Sequence, residues 1–480
     1  MPVIELCRFA EDETSRARHV HDHDVVDLAA ECWKASGGDD ADLRQLETSA
    51  REAWLGGPLP VDDLAVGAVT AALLAAAELA IARCVRRPAV TLSAEHVALS
   101  FRSERHVLQS GRPAGAGFAP LSRIVRCAGG GWARTHANYP HHAASLRRAL
   151  GISTDHDPVR ALEAAAASVD VLELEERVMN AGGVAAALRS PDEWAAHPAG
   201  CALAADPLVA WEAGAATAPR RLPRGAKRQA PAAGIRVLDL TRVIAGPVAG
   251  RTLAALGAEV LRIDPPGLPE LPAQHLDTGP GKRTAVLDLA DAARRERLLA
   301  GADVILLGYR PGSLDRFGLD HAALAARHPH LVQVALSAWG ATGPWANRRG
   351  FDSIVQVATG IGAIAAAPDG TPGVLPAQAL DHATGHLMAA VALRGLIRRE
   401  HGEPVLPARL SLARTAAALV EAPRPSLSTT AATGAADPER YRVRYGELEL
   451  IAPPGALDGV PLRWRHGPRP LGGDAPEWLD

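Results

Sequence analysis

Asp381 stands at the head of an apolar run, Leu380-Asp381-His382-Ala383-Thr384-Gly385, that reads as the first turn of a long helix. Aspartate is a favoured helix N-cap, so capping alone would account for it. The same placement also fixes a carboxylate in one rotamer at the mouth of a loop, which is what a carboxylate nucleophile requires. The helix field should keep such a group ionised at some cost in nucleophilicity, so its target would have to be a strongly activated acyl compound. On the residues alone both readings stay open.

Two loops could hold an anion. Thr241-Arg242-Val243-Ile244-Ala245-Gly246-Pro247 leaves an apolar strand and enters a helix. Free backbone N–H groups and the helix dipole favour a phosphate there, small Ala245 and Gly246 let it approach, and Arg242 adds charge. A plain strand-to-helix connection with Pro247 near the first turn fits equally. The glycine fingerprint of dinucleotide-binding sheets is absent, although Asp264, at the end of the next strand, resembles their ribose-binding acid. The second loop, Gly279-Pro280-Gly281-Lys282-Arg283-Thr284, lacks full phosphate-loop spacing because Arg283 intervenes. Lys282 and Arg283 could still bind anionic oxygens, or form a solvated basic turn.

Other groups carry weaker signals. His19-Val20-His21-Asp22-His23-Asp24 has metal-ligand residue types but no second cluster, and reads as a solvated segment. In Asn138-Tyr139-Pro140-His141-His142, His141 could be a base or simply open a helix. No metal site is expected.

The elements around these residues change character along the chain. Residues 1–58 read as an N-terminal arm with a helix near 42–54. An Ala/Leu-rich segment from Val61 to Cys84 reads as helix; its most apolar part, Leu64 to Ala77, is too short to span a bilayer and suits a buried helix. Residues 59–213 form a first region, with a strand-like stretch at Leu121–Cys127 and a turn at Gly129–Gly131. Residues 214–233 read as a linker. From 234 to 400 short apolar strands (235–240, 259–263, 285–289, 303–307 and 331–336) alternate with helices, followed by a tail, 401–480, that packs back on the core. The expected fold class is therefore α/β: a Rossmann-like, mostly parallel sheet domain in the C-terminal half, with a smaller α/β domain and long helices from the N-terminal half. An internal echo links the halves, since Asp63/Gly67 and Asp381/Gly385 share the pattern Asp-x-x-x-Gly at the head of Ala-rich helices.

Bulk properties exclude several classes. The chain has 480 residues, 51 basic and 54 acidic, and a formal net charge of −3, which argues against nucleic-acid binding. It is 48% hydrophobic and 22% charged, as globular proteins are, yet only 4% aromatic. Its cations are nearly all arginine, with lysine only at 34, 227 and 282. Five scattered cysteines give neither a disulfide framework nor a zinc ribbon, and the N-terminus lacks the pattern of a signal peptide, so a cytoplasmic protein without a membrane partner is expected.

Taken in order, VLDLTRVIAGPVAGRTLAALGAEVLRID (237–264), GKRTAVLDL (281–289), ADVILLGYRPGSLDRFGL (302–319), ALSAWGATGPWANRRGFDSIVQVATG (335–360) and LDHATGHLMAAVAL (380–393) resemble the class III CoA-transferase (CaiB/BaiF) family. That family includes formyl-CoA transferases and the related α-methylacyl-CoA racemases. The first half is similar to later parts of the family, in DDLAVGAVTAALL and GGGWARTHANYPHHAASLRRALG, which suggests a rearranged order. The resemblance implies that Asp381 is the nucleophile toward an acyl-CoA, and that a carboxylic acid is the acceptor. It implies CoA contacts at Arg242, Val243, Ile244 and Ala245, with Lys282 and Arg316 as further candidates, and it implies a homodimer. CoA would be a substrate, with no metal. The racemases pair His with Asp where this chain has Phe351-Asp352, so racemisation falls behind transfer. Asp63 reads as a relic of the echo. A non-catalytic CoA-binding protein is the remaining alternative.

Overall fold

The computed structural model describes residues 4–6, 28–39, 52–115, 117–153, 157–213, 221–423 and 434–479. The His19–Asp24 run, Cys7 and most of the helix expected at 42–54 lie outside them.

Seven strands build the large sheet: β1 Ala210–Trp211, β2 Arg236–Leu240, β3 Glu259–Asp264, β4 Lys282–Val286, β5 Val304–Leu307, β6 Val332–Ser337 and β7 Ala408–Ser411. They lie in the order β4-β3-β2-β5-β6-β7-β1, parallel throughout except for β1 on β7. This is the mostly parallel α/β sheet expected of the C-terminal half. Its strands are short apolar runs buried on both faces, as β5 (Val-Ile-Leu-Leu) shows throughout. The chain steps outward from β2 to β4, then returns to the other side of β2 for β5. Such a reversal leaves a crevice beyond the carboxyl ends of β2 and β5, where open sheets hold ligands.

The sheet extends past the boundaries expected for this region. Edge strand β1 precedes the 214–233 segment and β7 follows residue 400, because β6 and β7 still present free backbone edges that those residues satisfy. Within the described part of the expected linker the chain is pinned: Arg83 donates to the carbonyls of Pro231 (2.6 Å), Ala233 (2.9 Å) and Pro223. The tail supplies strands of its own, Arg442–Tyr445 and Leu448–Ile451, that pair with Leu108–Gln109 of the first half. The glycine turn joins the antiparallel strands Ile124–Arg126 and Trp132–Thr135.

Six helices position the site: α1 Val61–Ala82, α2 Pro140–Leu150, α3 Ala245–Ala255, α4 Asp352–Ala358, α5 Ala379–Glu400 and α6 Leu412–Glu421. The apolar helix α1 is longer than its most apolar stretch suggested. At 22 residues and a mean hydropathy of 2.1 it is long and apolar enough to cross a membrane, and 89% of its most apolar window is buried inside the protein. Its main neighbour is α5, also 22 residues, and both are rich in Ala, which allows close approach.

The echo is structural as well. Asp63 and Asp381 are each the third residue of these helices, and Gly67 and Gly385 each the seventh. A Cβ at Gly67 would stand 2.8 Å from Cα of Ala29, and one at Gly385 would stand 2.4 Å from the carbonyl oxygen of Ala245. Each glycine thus lets another helix touch backbone: Leu28–Ala35 on α1, and α3 on α5. Gly385→Ala should cost about 1–3 kcal/mol, the usual range for overpacking, measurable as a lowered urea midpoint with unchanged slope.

Candidate active site

A cavity of about 290 Å³ opens at the carboxyl end of the sheet, where the loops after β2, β5 and β6 converge. Asp381 at the start of α5 lines it together with Arg242, Val243 and Ala245, so the expected nucleophile and anion loop share one space. Tyr309 and Arg310 come from the loop after β5, Ser337 and Arg348–Phe351 from the segment after β6, and Tyr139, His141 and His142 from the first half. A second cavity, about 200 Å³, adjoins it through Tyr309, Arg310, Pro311, Leu336 and Ser337.

Asp381 is not a helix cap. The cap position is Gln378, and Asp381 lies a turn inside, 5% exposed. Its backbone N–H donates to Asp352 Oδ2 at 3.0 Å. Asp352 is fully buried at the head of α4, where Gln356 donates to its other oxygen; the Gln356 carbonyl in turn accepts the Leu375 N–H at 2.8 Å. Burial pushes the Asp352 carboxyl up to about 6. Burial, the charge of Asp352 and then that of Glu104 raise Asp381 well above the ordinary aspartate range. The helix field was expected to keep Asp381 ionised; desolvation and two neighbouring carboxylates outweigh it.

Glu104 belongs to the first half and approaches His382, 3.8 Å from ring to carboxylate. Burial pushes Glu104 up, and His382 brings it below the usual value. Sequence reasoning missed Glu104 and Gln356, because neither belongs to a local motif.

The loop after β2 is strained and clamped. Val243 has φ +70, a left-handed conformation that a β-branched side chain rarely adopts and that costs about 1–3 kcal/mol. Glu270 holds it there. One carboxylate oxygen accepts the Val243 N–H at 3.0 Å and an N–H of buried Arg262 at 3.0 Å; the other accepts the Leu271 N–H and the Tyr139 hydroxyl. Burial pushes Glu270 up, but Arg262 and Arg242 carry it below the usual carboxylate range. Arg242 lies 3.8 Å from Glu270 and over the Tyr139 ring, donating to the Pro269 carbonyl at 2.8 Å. One N–H of the expected anion loop is therefore already taken.

The remaining expected contacts are placed elsewhere. Ile244 is 1% exposed and does not line the cavity. Arg316 is exposed, stacks on Phe317 and lines neither cavity. Lys282 needs the larger correction. It lies in β4 rather than in a loop, 0% exposed, with its ammonium 2.9 Å from Asp239 Oδ2 on β2. Arg283, beside it, pairs with Glu259 at 3.3 Å. Both the phosphate-loop and the solvated-turn readings fail because acids on neighbouring strands neutralise these cations inside the fold. Asp264 is likewise turned to Arg262, 2.8 Å away. His141 lies in the first turn of α2, the helix-start place its sequence suggested, and its side chain also lines the cavity.

Phe351 stacks on the His136 ring at a centroid distance of 3.7 Å. Burial and the neighbouring His142 push His136 down to about 3. His142 is pushed to about 3 as well, by burial, His141 and Arg349.

Residues 232–445 match the family described as CoA-transferase family III. That stretch is a little under half of the chain. A protein of Mycobacterium tuberculosis named "Probable fatty acyl-CoA transferase" is 35% identical over 186 residues, covering 35% of this chain and 47% of that protein. A Gibberella moniliformis acyl-CoA transferase is 38% identical over 239 residues, 47% of this chain and 42% of its own. The chain thus spans about half the length, or less, of these curated relatives. A solved structure of a hypothetical protein from M. tuberculosis is 33% identical, with a TM-score of 0.36, covering 39% of this chain and 57% of that one. The matched stretch contains the whole large sheet except β1, and every cavity residue outside the first half.

Two outcomes check this account of the site. Lys282→Ala should lose about 3–5 kcal/mol of stability by leaving the buried Asp239 carboxylate without its counter-charge, with only Thr241 still donating to it, measurable as a lowered urea midpoint. Asp381→Asn should raise the melting temperature. The folded-state pKa of Asp381 lies above its value of 3.8 in the unfolded chain, so its ionisation weakens folding as pH rises past that value. The gain should grow from pH 4 upward and vanish below it.

Proposed function

We propose that this protein transfers CoA between an acyl-CoA and a carboxylic acid, with Asp381 as the covalent nucleophile. The observation that carries the reading is the shared cavity of Asp381 and the Arg242–Ala245 loop inside a family III domain. An Asp381 oxygen attacks the thioester carbon; the C–S bond breaks, giving an acyl–aspartyl anhydride and CoA thiolate. The thiolate attacks the aspartyl carbonyl, leaving an aspartyl-CoA thioester and releasing the donor acid. The acceptor carboxylate attacks that thioester, forming a new anhydride and freeing the thiolate again. Attack of the thiolate on the acceptor's carbonyl then releases the new acyl-CoA and restores Asp381. No water is consumed, so the thioester energy is conserved, and a largely buried nucleophile serves that end.

Electrostatics tune the first step. Asp381 must be ionised to attack, and its surroundings oppose this, so any positive charge brought near it favours the reactive form. Racemisation has less support: Phe351 offers no proton, and nearby His142, at about 3, is a weak base. A cytoplasmic location, expected from the sequence, and a homodimer, by the resemblance, complete the proposal.

Incubation with a panel of acyl-CoAs and hydroxylamine should yield a mass-tagged peptide containing Asp381. Asp381→Ala should show no tag and lose CoA exchange by at least about a thousandfold. An untagged parent protein would sink the covalent route. The rate should rise with pH through a midpoint above 3.8, and Asp352→Asn should move that midpoint down, because it removes a charge that raises Asp381.

A further inference from the structure

A strained residue on the cavity wall is held in place by a side chain from the other half of the protein. Val243, in the loop after β2, keeps φ +70. The N–H groups that follow it, of Ile244, Ala245 and Gly246, make no hydrogen bond among the described residues. They lead into α3, 11 residues long, and so offer an anion a row of donors whose direction the turn at Val243 sets. Nothing in valine favours that turn, because a β-branched side chain opposes positive φ.

What keeps the turn is the Glu270 carboxylate, which accepts the Val243 N–H at 3.0 Å. Glu270 is buried and has three other donors. Arg262 of β3 reaches the same oxygen at 3.0 Å, while the Leu271 N–H, at 3.0 Å, and the Tyr139 hydroxyl share the second oxygen. Arg262 and Leu271 are near neighbours of Glu270 in the chain. Tyr139 comes from the first half, where it precedes Pro140 at the start of α2. Burial and the charge of Glu270 push its phenol well up, so the hydroxyl keeps its proton and donates. The Tyr139 ring has contacts of its own, with Arg242 5.0 Å above it and Phe351 at a centroid distance of 6.3 Å. Phe351 adjoins Asp352, which accepts the Asp381 N–H at 3.0 Å. One side chain thus reaches from the anion loop to the support of the nucleophile.

We infer that Tyr139 is a positioning residue for the CoA phosphates: through Glu270 its hydroxyl holds Val243 in the left-handed turn, and with it the free N–H groups of Ile244, Ala245 and Gly246. This rests on the proposed transfer reaction, in which that loop receives CoA. The phosphate site is completed across the chain, since Val243 and Glu270 lie inside residues 232–445 and Tyr139 lies outside them.

Tyr139→Phe isolates the hydroxyl, because the ring beneath Arg242 is kept. Calorimetry on the full chain should show CoA bound roughly tenfold more weakly, the scale of one hydrogen bond to a charged acceptor. In turnover the KM for acyl-CoA should rise by a similar factor with kcat within about twofold. With an acyl-pantetheine donor, which has no nucleotide, parent and variant should match. Adding Val243→Gly to Tyr139→Phe should recover most of the lost affinity, since glycine adopts positive φ without a clamp. A hydroxyl that served the fold alone would lower the melting temperature and leave CoA affinity as it was. CoA affinity within about twofold of the parent in Tyr139→Phe overturns the inference, as does a loss that Val243→Gly does not repair, or an equal defect with acyl-pantetheine. Each of these outcomes is compatible with an Asp381 still tagged by acyl-CoA. Absence of that tag overturns the proposed function instead.

Discussion

The hydrogen bond from the Asp381 amide to the Asp352 carboxylate fixes most of what surrounds it. It ties the first turn of α5 to the head of α4, and so brings a long central helix and the segment after β6 to one point. Two acids this close in a desolvated place cannot both ionise freely. The fold therefore holds a carboxyl whose charged form is disfavoured on the wall of the cavity. Gln356 and the Leu375 N–H keep Asp352 oriented, and His382 with Glu104 extends the polar cluster into the first half of the chain. Ionising this carboxyl costs stability, as it does for any acid held in a desolvated place beside other acids.

Much of this was legible in the amino-acid order. Five of the seven strands of the large sheet show as short apolar runs between turn residues, and the structure places them within a few residues of their expected spans; β1 and β7, too short to carry such a pattern, had none. β4 is the exception: it starts at Lys282, three residues before the run Ala285–Leu289 suggested. A buried lysine is invisible to apolar patterning when its partner, Asp239, lies on another strand. Asp381 and the 241–247 loop could be picked out because each is a local motif at the start of a helix. Arg348, Arg349 and Glu270 could not, since arginine supplies nearly all cations of this chain and its type alone says little. Tyr309 and Arg310 had a usable signal, as the first residues of a loop leaving the carboxyl end of a central strand.

The first half is not an appendage. It sends Tyr139, His141 and His142 into the cavity and brings the charge of Glu104 to bear on Asp381. It also mirrors the second half: α1 repeats the length, the acidic third residue and the glycine contact of α5. What differs is the environment. Asp62, beside Asp63, accepts the N–H groups of Trp54, Leu55 and Gly56, tying down the chain that enters α1. The same helix-head pattern thus anchors a loop in one half and presents a carboxyl to a cavity in the other.

The seam between the two central helices is built from alanine, leucine and glycine, and β1 of the first half closes the edge of the second half's sheet. Holding the halves together is therefore the task of buried contacts, not of the peptide that runs from one to the other. Severing the backbone between residues 213 and 221 would leave two fragments that remain docked, and the molecule could be assembled from separately made pieces.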